Sequence, residues 1–265
     1  MTITREQLNK VRRIVIKVGT STLAYPATSK LNLSRIEHLI RDIADLHNAG
    51  KEIIFVSSGA IAAGIGRMGL SGKPDTIPEN QALAAIGQGV LMHIYEKFFA
   101  EYGKTVGQLL LTKENTIDEH ARENSRNSIL TLLKMGVIPV INENDAVATD
   151  ELRIGDNDNL SAMIAAMIEA ELLIILTDID GLYNGNPKTD KNAKLIDEIS
   201  EITPEIEEMA GGAGTKLGTG GMYTKIQAAK IARRAGVTML IIPGAVTGAL
   251  RRCLQGENIG TIFKV

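Results

Sequence analysis

Short apolar runs alternate along this chain with longer segments in which apolar residues recur every three or four positions. The run 14–16 (Ile-Val-Ile) reads as a buried strand that ends in Lys17-Val18-Gly19-Thr20-Ser21. Ile36, Leu39, Ile40, Ile43 and Leu46 then mark one face of a helix. Ser34 and Glu37 have the spacing of a capping box ahead of it, and Gly50 closes it. The same reading predicts strands at 53–56, 106–111, 137–141, 172–176 and 237–242, with a short last one at 260–264. Helices are predicted at about 80–102, 122–135, 160–170 and 222–235. Strands that alternate with helices and are apolar on both faces imply an α/β chain, a three-layer αβα sandwich around a mainly parallel central sheet. Ligands of such sheets sit beyond the carboxyl ends of the strands, so the segments that follow each strand are the places to search.

Composition narrows the function classes. The chain has 265 residues, long enough for one large core. It contains no Pro/Ser-rich linker, low-complexity tract or internal repeat, which predicts a single domain, 1–265, with two unequal halves. A formal net charge of −2 and 3% aromatic residues supply neither the basic footprint nor the stacking platforms of a nucleic-acid binder. The single cysteine, Cys253, forms no internal disulfide and builds no cysteine-rich zinc site. Residues 1–13 lack the apolar stretch of a signal peptide, and no run approaches the ~20 apolar residues that cross a bilayer. The expectation is a cytoplasmic protein without membrane or nucleic-acid partners.

Four segments after strands are dense in Gly, Asn, Asp, Ser and Lys. At 17–21, Lys17 alone reads as a strand-end lysine snorkelling to solvent, but Gly19, Thr20 and Ser21 give the segment a phosphate-cradling composition. At 57–64, Ser-Ser-Gly-Ala-Ile-Ala-Ala-Gly is either a small-residue turn into a helix or an anion site of exposed N–H groups and hydroxyls; the segment alone leaves both open. Asn142-Glu143-Asn144-Asp145 and Gly155-Asp156-Asn157-Asp158-Asn159 precede an almost wholly apolar helix. Their side chains therefore face the sheet edge, where Asp158 is placed both to cap the helix and to orient lysines or a metal, roles that are compatible. The fourth group comprises 177–183 and Gly218-Thr219-Gly220-Gly221 before a helix that carries Lys225 one turn in, a positively polarised anion site.

Other signals fail. Gly64-Ile65-Gly66-Arg67-Met68-Gly69 matches the dinucleotide fingerprint but starts too far after its strand. Gly103-Lys104-Thr105 has Phe98 where a P-loop needs glycine. Asp178-Ile179-Asp180 continues to Leu182 and Tyr183, where a calcium loop needs a ligand and then glycine. His38, His47, His93 and His120 lack ligand spacing.

Taken together, 17–21, Thr177-Asp178-Ile179-Asp180-Gly181-Leu182-Tyr183 and Gly220-Gly221-Met222-x-x-Lys225 resemble features of the amino acid kinase family. The segments 57–64, 141–148 and 155–162 resemble its glutamate-phosphorylating members. The resemblance covers essentially the whole chain and implies ATP-dependent phosphorylation of the L-glutamate side-chain carboxylate, with Mg²⁺ held mainly by phosphates and water. It implies Lys17 and Lys225 flanking the phosphoryl group and Asp158 organising them. Ser58, Asp145 and Asn157 would bind glutamate, with Asn142 a further candidate. Thr177, Asp178 and the run Thr219, Gly220, Gly221, Met222, Tyr223, Thr224 and Lys225 would bind ATP, together with Lys17. A glutamate half at about 1–170 and an ATP half at about 171–265 follow, as do a homo-oligomer (dimer or tetramer), proline feedback and hand-over to glutamyl-phosphate reductase. The C-terminal RNA-binding-like (PUA) domain of many relatives is expected to be absent. The alternatives are a family member acting on N-acetylglutamate, aspartate, carbamate or UMP, and a non-catalytic nucleotide-binding regulator.

Overall fold

Alternation along the central strand decides which helices its residues meet. In the computed structural model, which describes residues 3–148, 157–185, 187, 190, 192–211 and 221–265, a 3-10 turn (Arg5–Lys10) leads into β1 (Arg13–Val18). Then come α1 (Thr20–Leu23), α2 (Leu33–Asn48), β2 (Glu52–Ser57), α3 (Ala60–Met68), α4 (Ile77–Glu101) and β3 (Val106–Leu111). The chain continues through α5 (Glu114–Ile117), α6 (Glu119–Lys134), β4 (Ile138–Glu143), α7 (Asn157–Met167) and β5 (Leu172–Thr177). It ends with β6 (Glu198–Ile199), α8 (Pro204–Met209), α9 (Met222–Arg234), β7 (Thr238–Pro243), α10 (Ala249–Leu254) and β8 (Thr261–Phe263).

These strands form one eight-stranded sheet in the order β3-β4-β2-β1-β5-β7-β8-β6. Every pairing is parallel except β7 with β8. Helices cover both faces, as continuously buried β4, β5 and β7 require. Ile14, Ile16 and Val18 join Phe55, Ile174 and the buried faces of α2, α4 and α10 in one core. Val15 joins Ile54, Ile175, α7 and α9 in the other. Lys17 has the parity of Val15 and so faces the α7/α9 layer.

The helix starts follow local capping chemistry. Thr76 and Asp118 accept from Glu79 N (3.4 Å) and Ala121 N (2.8 Å) at the starts of α4 and α6. The capping box at Ser34 is a correction: buried Asn32 accepts from Arg35 N at 3.2 Å, so α2 begins at Leu33 and Ser34 lies within its first turn. The stretch 60–68 is a helix in its own right, and its glycines do packing work: a Cβ on Gly64 would meet the Leu83 carbonyl oxygen at 2.1 Å, and one on Gly87 the Ala60 oxygen at 1.8 Å. That backbone-to-backbone approach locks α3 onto α4. On α4, Tyr95 meets Phe55 of β2 edge-on with centroids 5.2 Å apart, and its hydroxyl lies 2.6 Å from Ser57 Oγ. Among the described residues no helix is long and apolar enough to cross a membrane.

Candidate active site

Parallel pairing brings the carboxyl ends of β1, β2, β4 and β5 to one edge. Lys17, near the end of β1, meets the start of α7, where Asp158 is fully buried. Lys17 Nζ lies 2.6 Å from Asp158 Oδ1, and Lys225 Nζ of α9 lies 3.2 Å from Oδ2. Both lysines are buried as well. Thr224 Oγ1 sits 2.8 Å from Asp158 Oδ2 and 2.7 Å from the Gly221 carbonyl oxygen, two acceptors for one proton. Burial by itself would raise the Asp158 pKa. The charges of Lys17 and Lys225, with hydrogen bonds from Lys17 and Thr224, outweigh it and hold the carboxyl at about 2. Its oxygens are thus occupied by the lysines and Thr224, the orienting role among the compatible ones read from the sequence.

On the β2/β4 side, Gly59 takes φ +92° and turns the chain from Ser58 into α3, a conformation that strains residues with a side chain. Asn157 Nδ2 donates to Ser58 Oγ (3.0 Å) and to Asn142 Oδ1 (3.0 Å). Asn142 Nδ2 in turn donates to Gln88 Oε1 of α4 at 2.8 Å. Asn142 and Gln88 are buried, while Ser58 and Asn157 reach the cleft. On the β5 side, Thr177 Oγ1 donates to Asp178 Oδ1 at 3.1 Å.

A cleft of about 510 Å³ runs between these two sides. Its wall includes Lys17, Ser58, Asp145, Asn157, Thr177, Asp178 and Lys225. The structure therefore brings together seven of the residues singled out in the sequence, with Asn142 and Asp158 directly beneath through their contacts to Asn157 and the lysines. Gly221 caps α9, whose first turn carries Met222, Tyr223 and Thr224. Of these, Met222 packs against the α7/α9 core and Tyr223 is exposed. Thr219 and Gly220 lie outside the described residues. The wall also contains Lys73 and Glu143. Sequence reasoning named Glu143 only as part of a polar segment, without a role, and missed Lys73 and Gln88. The only signal for Gln88 was an amide among the apolar and small residues of α4.

The electrostatics differ from a simple cationic funnel. In the cleft wall Lys17, Lys73 and Lys225 face Glu143, Asp145 and Asp178, with Asp158 below. Among the described residues the lysines are oriented charges within a near-balanced set. Among the described residues no three His, Cys, Asp or Glu side chains form a metal-holding group.

Residues 12–243 match the model of the amino acid kinase family. A Clostridium tetani protein named glutamate 5-kinase is 55% identical over 259 residues, covering 98% of this chain and 97% of that protein. A protein of the same name from Carboxydothermus hydrogenoformans is 54% identical, again over 98% of this chain but over 69% of its own length. Among solved structures, an isopentenyl phosphate kinase superposes with TM-score 0.68 at 20% identity, covering 95% of this chain and all of that one. UMP kinase from Bacillus anthracis superposes with TM-score 0.64 at 16% identity, over 96% and 98% of the two chains. With its sheet order, its buried lysine–aspartate–lysine bridge and a family match across most of its length, the chain belongs to the amino acid kinase family.

Proposed function

We propose that the chain transfers the γ-phosphoryl group of ATP to the side-chain carboxylate of L-glutamate, forming L-glutamyl 5-phosphate and ADP, the first step toward proline. The observation that carries this reading is the pair of buried lysines bridged by Asp158 at the base of one cleft. A carboxylate oxygen attacks the γ-phosphorus, the bond from phosphorus to the β–γ bridging oxygen breaks, and that electron pair leaves with ADP. No proton has to be removed from the nucleophile, so no general base is needed.

The problem is repulsion. Two unit anions ~4 Å apart repel by about 4 kcal/mol at an effective dielectric near 20, against about 1 in water. Lys17 and Lys225 answer it from the attacking and leaving sides, held apart and aimed by Asp158. Ser58, Asn157 and Asn142 lie on the glutamate side, where Asp145 pairs with the α-ammonium group. Thr177, Asp178 and the start of α9 lie on the ATP side, so 1–170 supplies the glutamate half and 171–265 the ATP half. Mg²⁺, bound through phosphate oxygens and water, would supply the remaining positive charge, in keeping with a wall whose lysines are matched by carboxylates. The product is a mixed anhydride that water cleaves readily. This chemistry favours direct hand-over to a glutamyl-phosphate reductase; control of the step by proline and a homo-oligomer rest on the family resemblance alone.

Near full-length likeness to proteins named glutamate 5-kinase supports this substrate above the other carboxylates and phosphates used in the family. A coupled assay of ADP formation tests it, with L-glutamate against N-acetylglutamate, aspartate, carbamate and UMP. ADP release with glutamate alone is the expected result. Turnover with another acceptor would replace the substrate, and none with any acceptor would make the chain a nucleotide-binding regulator.

A further inference from the structure

The amide chain behind Ser58 has a direction, and the backbone sets it. The N–H of Glu143 can only donate, and it points at Asn142 Oδ1 (2.9 Å) and Asn157 Oδ1 (3.4 Å). Both contacted atoms must therefore be oxygens, which fixes the orientation of both amides. Asn142 is left with its NH₂ turned toward α4, where Gln88 Oε1 accepts at 2.8 Å. Asn157 is left with its NH₂ between Asn142 Oδ1 and Ser58 Oγ, both at 3.0 Å. Because Ser58 Oγ already accepts, its proton is free to be donated into the cleft.

We infer that Gln88 is a positioning residue for substrate binding: by accepting from Asn142 it completes and anchors the relay Gln88–Asn142–Asn157–Ser58, whose direction the Glu143 N–H sets and which presents Ser58 as a donor to the substrate carboxylate. Three features hold Gln88 in place. Gly87 lets α4 sit directly on the Ala60 carbonyl of α3, Tyr95 about two turns farther along α4 packs against Phe55, and Gln88 itself is buried. A chain of satisfied amides in a low-dielectric interior permits few rearrangements, since each flip leaves a buried group unpaired. Gln88 is not part of the wall of the cleft that Ser58 and Asn157 line, and its effect there passes through two asparagines.

This inference rests on the glutamate reading of the cleft, and its test separates the two. Gln88→Met has similar length and no strong acceptor, whereas Gln88→Glu keeps an acceptor for Asn142 Nδ2. The expected result for Gln88→Met is a 3- to 10-fold rise in the KM for glutamate, with the KM for ATP unchanged and the thermal midpoint lowered by a few degrees by the unpaired Asn142 amide. Gln88→Glu should return the glutamate KM to within about twofold of wild type. The double variant Gln88→Met/Ser58→Ala should be no worse in kcat/KM than Ser58→Ala alone, because the relay has nothing left to orient. Unchanged glutamate KM in Gln88→Met, a parallel rise in both KM values, failure of Gln88→Glu, or multiplicative losses in the double variant would each overturn the relay. A wild-type protein that makes no ADP with glutamate overturns the substrate reading itself, and active wild type with unaffected variants overturns only the relay.

Discussion

Replacing Asp158 by Asn tests the base of the cleft most directly, because Asn keeps the size of Asp and removes only its charge. The carboxylate lies 2.6 and 3.2 Å from two ammonium groups. At an effective dielectric near 20 each contact attracts by about 5–6 kcal/mol, and desolvation of three buried ions offsets most of that. The net effect is contained in the pKa, which falls from 3.8 to about 2 on folding. That shift corresponds to roughly 2 kcal/mol of stability at neutral pH. Because the folded-state pKa is the lower one, this stability is fully present above the unfolded value of 3.8 and is lost as pH falls through about 2. Asp158→Asn should therefore lower the thermal midpoint by about 4–6 °C at pH 7. In urea titrations the gap between wild type and variant should stay constant from pH 7 to 5, shrink near pH 3 and vanish toward pH 2. A gap that is absent, or flat across that whole range, refutes the bridge as the organiser of the two lysines. Loss of ADP formation with the fold retained is the catalytic counterpart.

Other perturbations address separate parts of the site and scaffold. Lys225→Ala should lower kcat by about 10²–10³-fold and move the glutamate KM far less, since its charge acts on the transferring group; an unchanged kcat with weaker glutamate binding contradicts that role. Asp145→Asn should raise the glutamate KM by about 10- to 100-fold while ATP affinity, followed by nucleotide titration, is retained. Gly87→Ala should cost more than 3 kcal/mol (roughly) in urea unfolding or abolish folding, because its Cβ would lie 1.8 Å from the Ala60 oxygen. Gly89→Ala, two residues on with nothing within 4 Å, should instead stabilise the protein by about 0.5–1 kcal/mol. Cys253 is fully buried and burial pushes its thiol up to about 12, so thiol reagents should label it only after denaturant opens the core.

The parts of the fold that were legible in the sequence are those whose pattern is complete within a few residues. The edge strand at 106–111 appears with the ends read from the sequence, and the other long strands differ by a residue or two, because doubly buried strands are apolar runs that end where polar loops begin. Elements of two to six residues (α1, α5, β6, α8 and α10) carry too little periodicity to register. The helix at 60–68 was legible only as what a small-residue turn at 57–64 leads into, without bounds, because its Ala and Gly residues serve contact with α4, which no local pattern reveals. The site divides the same way. Lys17, Asp158 and Lys225 stand beside glycines and strand ends that announce them, whereas Gln88 acts on Asn142, 54 positions away, and Lys73 reaches the cleft from a segment with no motif.

Why residues so far apart in the chain converge is a question of strand order. β1 lies in the middle of the sheet, flanked by β2 and β5, so the chain departs from β1 to one side and returns to its other side only after β4. Lys17 thus stands at the point where strand order reverses, and a crevice must open there because successive connections leave in opposite directions. The excursion through β2, β3 and β4 delivers Ser58 and Asn142 to one wall of that crevice. The return through α7 delivers Asp158 to its floor, and the later β5–α9–β7 unit delivers Thr177 and Lys225 to the opposite wall. A single buried carboxylate can then bind lysines that are 208 positions apart only because one comes from the central strand and the other from a helix that packs on α7. Moving β1 to an edge would leave Asp158 with one partner and a buried charge half-compensated, which is strongly destabilising. The order of the sheet and the chemistry of the cleft are therefore one constraint: the fold that reverses at β1 is the fold that can hold two cations around one acid.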